Sequence, residues 1–94
     1  MIPNETTHMF YTYVLQSKKD KRFYTGATDD LRKRFKEHQE GKSIWTKSRG
    51  PFELVYYEVC LEKYDAFERE KYLKSGRGKR FLKARLKRFL FRTG

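Results

Sequence analysis

The chain has 94 residues, 37% of them charged, with 23 Lys+Arg against 12 Asp+Glu for a net charge of +11. That length suits one small domain with a modest core, and no run of about 18 apolar residues is present to span a membrane. A single cysteine rules out an internal disulfide and a cysteine-based zinc site, and the positive balance points to a polyanionic partner, nucleic acid before an anionic membrane surface.

Residues 1–8, MIPNETTH, are polar and lack the apolar run of a secretory signal; they are expected to form a disordered tail before a single domain over 9–92. FYTYVLQ at 10–16 is rich in β-branched and aromatic residues and predicts a strand, apolar on both faces and so covered on both sides. SKKDK is a polar turn, and RFYTG at 22–26 is the returning strand. A turn centred on Lys18 and Lys19 sets Tyr13 opposite Tyr24, on one face of the sheet.

Asp29 or Asp30 caps the next helix, LRKRFKEHQE, which stops at Gly41. Leu31, Phe35 and His38 share one stripe of it, Arg34 lies at the edge of that stripe, and Lys33, Lys36, Glu37 and Glu40 point elsewhere. KSIWTKSRGP at 42–51 reads as a basic loop closed by a Gly-Pro turn. FELVYYEVC at 52–60 is a third strand, whose Cys60 is expected to be a buried thiol in a reducing cytoplasm.

Asp65 is expected to cap a second helix that runs to about Lys74, with Ala66, Glu70 and Leu73 along its inner stripe; Glu70 stands where an apolar residue is expected. SGRG at 75–78 breaks that helix. KRFLKARLKRFLFR then forms a basic amphipathic helix with Phe81, Leu82, Arg85 or Leu86, Phe89 and Leu90 inward. No acidic residue follows Glu70. The order β-β-α-β-α-α implies a small α/β domain around a mixed or antiparallel three-stranded sheet.

Tyr13, Tyr24, Arg34, His38 and Glu70 are the residue types of metal-assisted phosphodiester cleavage. Taken singly, each has an ordinary reading: sheet tyrosines, a solvated helix arginine, a core-edge histidine, and a glutamate paired to Lys74 by i, i+4 spacing. Taken as an ordered set, Tyr11-Thr12-Tyr13, Tyr24-Thr25-Gly26, Arg34 ten residues after Tyr24, His38, and Glu70 within AFEREKYLK resemble the GIY-YIG nuclease domain. The closest likeness is to its small stand-alone members, related to the N-terminal nuclease domain of the excision-repair C subunit, and it covers roughly residues 9 to 85.

The resemblance implies an α/β (α+β) fold with a three-stranded antiparallel central sheet flanked by helices. It implies a hydrolase that cuts phosphodiesters with one divalent metal, Mg²⁺ or Mn²⁺. Tyr13 and Tyr24 match the tyrosines of the two motifs. Gly26 matches the glycine that admits close backbone approach, Arg34 the arginine on the scissile phosphate, and Glu70 the metal-binding glutamate. His38 falls where some members place a histidine. Tyr11, Thr12 and Thr25 replace apolar or glycine positions of the motifs without touching the polar groups. Ala27 stands where the repair branch has a lysine, and no counterpart of a C-terminal asparagine is found.

The chemistry fits these groups. One carboxylate suffices for Mg²⁺, which keeps several waters. Arg34 offers a permanently charged fork to a phosphate. The general base is open. Tyr13 and Tyr24 are both candidates, poor bases at the ordinary tyrosine pKa of about 10, with Tyr13 placed first as base or water-positioner and Tyr24 orienting the water or phosphate. His38, expected to titrate near neutrality, could assist directly or by holding a tyrosine.

Lys42, Trp45, Lys47 and Arg49 form either a substrate-guiding loop with Trp45 as a stacking platform or a solvated loop with Trp45 in the core. Lys74, Arg77 and Lys79 are candidate phosphate contacts, and Gly26, for the close backbone approach the resemblance implies, is counted with the nucleic-acid-binding residues. The expected function is a cytoplasmic endonuclease acting on single-stranded or branched DNA, with RNA open as substrate. The expectation includes no membrane partner and no haem or nucleotide cofactor, with the oligomeric state undetermined. The rival reading is a catalytically idle nucleic-acid-binding module on the same fold.

Overall fold

The structure, a computed structural model, describes residues 8–44 and 46–93; Trp45 and positions 1–7 of the expected tail lie outside the described residues. Strands β1 (Phe10–Ser17), β2 (Phe23–Thr28) and β3 (Phe52–Cys60) accompany helices α1 (Leu31–Gln39), α2 (Lys63–Lys74), α3 (Gly76–Arg85) and α4 (Lys87–Thr93). The strands form one antiparallel sheet in the order β2-β1-β3, flanked by helices, which is the expected fold class.

β1 lies at the centre because both its faces are apolar. On one face Tyr13 and Leu15 pack with Phe52, Tyr24 and the α1 residues Leu31 and Phe35. On the other, Val14 packs with Leu73 of α2 and Leu82 of α3. Thr12, on that second face, donates its hydroxyl to Ala66 O of α2 at 2.9 Å. Each fully buried aliphatic side chain contributes about 1.5–3 kcal/mol, so a sheet this small needs both helical layers.

The β1–β2 register differs from the expected one. Tyr13 faces Gly26, and Tyr24 faces Leu15. The reason is the turn. Ser17 Oγ accepts from Lys19 N at 3.0 Å and Asp20 N at 3.1 Å, while Ser17 N donates to Arg22 O at 3.0 Å. This moves the turn's centre beyond Lys19. The slip is two residues, so side-chain parity survives, and Tyr13 and Tyr24 still share a face.

Asp30 caps α1, its carboxylate accepting from Lys33 N at 3.1 Å. The helix ends ahead of Gly41, whose φ of +72° favours glycine. Gln39 fixes α1 against the sheet: its amide donates to Phe52 O at 2.9 Å and accepts from Phe52 N at 2.7 Å.

Three boundaries depart from expectation. α2 starts at Lys63 after an extended Glu62, which places Asp65 in the first turn instead of at the cap. There its charge meets the positive end of the helix dipole. Ser75 both ends α2 and starts α3: its hydroxyl donates to Tyr72 O at 2.5 Å and accepts from Gly78 N at 3.2 Å. The 75–78 segment therefore already belongs largely to α3. Gly78 is buried, and a Cβ there would lie 2.7 Å from Tyr72 C, so the α2–α3 corner requires glycine. The expected long terminal helix divides at Leu86 into α3 and α4. Phe89 and Leu90 of α4 are half-buried.

Cys60 is half-buried instead of enclosed, with Sγ directed to Glu62 O at 3.4 Å. It closes β3, an edge strand whose Glu53, Tyr57 and Val59 are exposed. Among the described residues no helix is long and apolar enough to cross a membrane.

Candidate functional site

A cleft of about 510 Å³ opens beside edge strand β2, between the α1 layer and the α2–α3 layer. Tyr13, Tyr24, Arg34 and His38 line it from one side, Glu70, Lys74 and Lys79 from the other, with Gly26 between. Lys42, Lys47, Arg49 and Arg77 lie outside it.

Gly26 connects the two sides. A Cβ built on it would lie 2.6 Å from Tyr13 Cζ and closer still to Tyr13 Oη. The tyrosine ring thus crosses the space a side chain would fill. The glycine expected to admit close backbone approach here admits the partner tyrosine.

Tyr13 Oη lies 2.8 Å from His38 Nε2, and His38 Nδ1 lies 2.7 Å from Thr46 Oγ1. All three residues are buried. Burial raises the Tyr13 pKa above the ordinary tyrosine value, against the lowering influence of the neighbouring Arg34 guanidinium; Glu70 and Glu37 add to the rise. Burial, reinforced by Arg34, pushes His38 from 6.5 down to about 4. The expectation of a histidine titrating near neutrality is therefore corrected. At pH 7 the imidazole is neutral, and one ring nitrogen accepts while the other donates.

Arg34 reaches the cleft but also pairs with Glu37, its Nη1 3.1 Å from Glu37 Oε1. Glu37 is half-buried, where the sequence suggested that it points away. Tyr24 donates to Asp20 Oδ2 at 3.2 Å, and Arg49 Nη1 stands 3.7 Å from the same oxygen. Burial and Asp20 raise the Tyr24 pKa. Across the cleft, Glu70 Oε2 takes Lys74 Nζ at 2.6 Å.

Thr46, Glu37 and Asp20 were not singled out from the sequence. The i, i+3 spacing of Arg34 and Glu37 is a legible signal. Thr46 carries none, because only the folded loop brings its hydroxyl to His38.

Among the described residues no group of three or more His, Cys, Asp or Glu could enclose a metal, and Glu70 is the one carboxylate lining the cleft. This fits a hard cation that retains water and borrows oxygens from a phosphate. Glu70 already holds a cationic group, the Lys74 ammonium, at that carboxylate.

Residues 9–84 match the family described as the GIY-YIG catalytic domain. The UPF0213 protein CPE1444 of Clostridium perfringens is 45% identical over 67 residues, 70% of this chain and 71% of that one. The UPF0213 protein YazA of Bacillus subtilis is 42% identical over 71 residues, 74% of this chain and 70% of that one. The solution NMR structure of the UPF0213 protein BH0048 from Bacillus halodurans is similar with a TM-score of 0.51 at 38% identity, covering 81% of this chain and 83% of that chain.

Proposed function

The chain belongs to the GIY-YIG family, and from that premise we propose that it is a divalent-metal-dependent endonuclease that hydrolyses phosphodiester bonds in DNA. Single-stranded or branched DNA is the favoured substrate, and the products carry 5′-phosphate and 3′-hydroxyl ends. The observation that carries this reading is the convergence of Tyr13, Tyr24, Arg34, His38 and Glu70 on one cleft. The chain's net charge of +11 favours a polyanionic partner.

Arg34 binds the scissile phosphate. To do so it leaves Glu37, a half-exposed partner whose loss costs little. Its fixed fork then neutralises charge that develops on the phosphoryl oxygens. Lys79, on the same cleft, holds the adjoining backbone. Glu70 would hold Mg²⁺ or Mn²⁺, and a divalent cation bound there would supply Lewis acidity.

Tyr13 positions the attacking water. With Nδ1–H of His38 donating to Thr46 Oγ1, His38 Nε2 accepts from the Tyr13 hydroxyl. The Tyr13 oxygen, which the Arg34 guanidinium also approaches as a donor, then keeps an acceptor site for water. As the water oxygen attacks phosphorus, its proton passes to Tyr13 Oη and the tyrosine proton passes to Nε2. Neither group need ionise beforehand: the raised tyrosine pKa keeps Tyr13 protonated, and the depressed histidine pKa keeps His38 neutral and able to accept. The imidazolium formed in the transfer is offset by the negative charge developing on the phosphoryl oxygens. Tyr24, held by Asp20, orients the water or the phosphate.

The test is cleavage of labelled single-stranded, duplex and forked DNA, and of RNA, with Mg²⁺, Mn²⁺ or chelator. Metal-dependent cutting that Glu70→Ala loses is the expected result. Tight, salt-sensitive binding without cutting under every condition would favour the idle binding module instead.

A further inference from the structure

Glu70 Oε2 and Lys74 Nζ stand 2.6 Å apart, one helical turn from each other, and both side chains line the cleft. Lys74 is not needed to complete the helix or the core: its side chain is 55% exposed. It occupies the one carboxylate of the cleft with a charge of the sign a metal ion would bring. A divalent ion at Glu70 would sit within a few Å of that ammonium. At about 5 Å, repulsion between such charges weakens binding by roughly tenfold even with the screening of water.

The pair is also easily parted. Exposed i, i+4 ion pairs contribute little to stability, and Lys74 has a long flexible stem. Arg34 and Lys79 line the same cleft and make it attractive to a phosphate. A phosphate seated there offers Lys74 a second anion. It also offers a cation further oxygen ligands, since among the described residues no other carboxylate lines the cleft.

We propose that Lys74 is a displaceable occupant of the Glu70 carboxylate, which substrate phosphate draws away so that nucleic acid and divalent cation bind with positive coupling. Lys74 is thus a positioning residue that keeps the free protein low in metal affinity. Coupling of this kind is reciprocal: the cation must tighten nucleic-acid binding by the same factor. The inference rests on the reading of Glu70 as the cation ligand.

The test is Mn²⁺ binding followed by its electron paramagnetic resonance signal, which requires no turnover. Wild type, Lys74→Met, Lys74→Arg and Glu70→Gln are titrated alone and with a short phosphorothioate oligothymidylate, which resists hydrolysis. Lys74→Met should bind Mn²⁺ about tenfold more tightly than wild type when free, and Lys74→Arg should resemble wild type. The oligonucleotide should tighten Mn²⁺ binding to wild type by a larger factor than to Lys74→Met. Unchanged affinity in Lys74→Met, with binding lost in Glu70→Gln, would overturn the role of Lys74 and leave Glu70 as ligand. Equal behaviour of wild type and Glu70→Gln would overturn both.

Discussion

The Tyr13 hydroxyl and His38 Nε2 meet at 2.8 Å although the residues are 25 apart in the chain, one on the central strand and the other on α1. Replacing Tyr13 with Phe removes the oxygen that positions water and leaves the ring on Gly26. Turnover should fall at least a hundredfold, the scale of a general acid–base contribution. Single-turnover cleavage measures it, and circular dichroism should be unchanged. A rate within threefold of wild type would remove Tyr13 from the chemistry.

Thr46→Val leaves His38 Nδ1 buried without its partner. An unmet buried polar group costs about 1–3 kcal/mol, so urea denaturation should show that loss. Turnover should fall as well, because the imidazole is no longer held in one tautomer. If stability drops while the rate stays constant, the Thr46 bond serves the fold alone.

His38 also sets a pH dependence. Its pKa falls on folding from 6.5 to about 4. Between those values the unfolded chain binds a proton that the folded one refuses. Stability from this group is therefore complete above pH 6.5, lost as pH falls toward about 4, and constant below. The slope approaches about 1.4 kcal/mol per pH unit for one proton. Urea unfolding of wild type and His38→Asn across this range should give curves that converge on acidification. Parallel curves would show that His38 ionises alike in both states.

Two glycines should respond differently to alanine. At Gly26 the added methyl meets the Tyr13 side chain, which can swing aside. Gly26→Ala should fold with reduced stability and lose most activity, because Tyr13 leaves His38. At Gly78 it meets the backbone of Tyr72 and Leu73, which cannot. Gly78→Ala should lose several kcal/mol, about 3 or more, from the strain of parting α2 and α3. Thermal unfolding and cleavage assays on both variants separate the two effects, and equal melting temperatures would contradict the contrast.

Glu70→Ala should remove cleavage but shift stability by no more than about 0.5 kcal/mol, since only a solvent-facing pair to Lys74 is lost. Substrate binding in chelator should persist and weaken steeply with salt. Misfolding of this variant would mark Glu70 as structural.

The strands were legible because short runs of aromatic and β-branched residues bounded by polar turns have few other solutions; β3 spans the same residues, Phe52–Cys60, in both readings. Tyr13, Tyr24, Arg34, His38 and Glu70 were legible as an ordered set, while their convergence on a cleft required the fold. The hairpin register was missed by two residues because Ser17 gathers the turn through its side chain, a choice that residue preferences do not encode. The acid shift of His38 was invisible for a related reason. It comes from burial under the loop that carries Thr46, and burial belongs to the tertiary arrangement.

Ser17 reaches further than its own turn. Its hydroxyl donates to Arg49 O at 2.6 Å, Lys18 N donates to Pro51 O at 2.9 Å, and Lys19 Nζ reaches Ser48 O at 3.3 Å. The hairpin tip and the 46–51 loop are sewn together from both sides. Extra chain inserted at either place would pull on Tyr24 through Asp20 and on His38 through Thr46. An engineer adding a targeting segment would do better at the exposed Leu61, between β3 and α2, where the seam does not run.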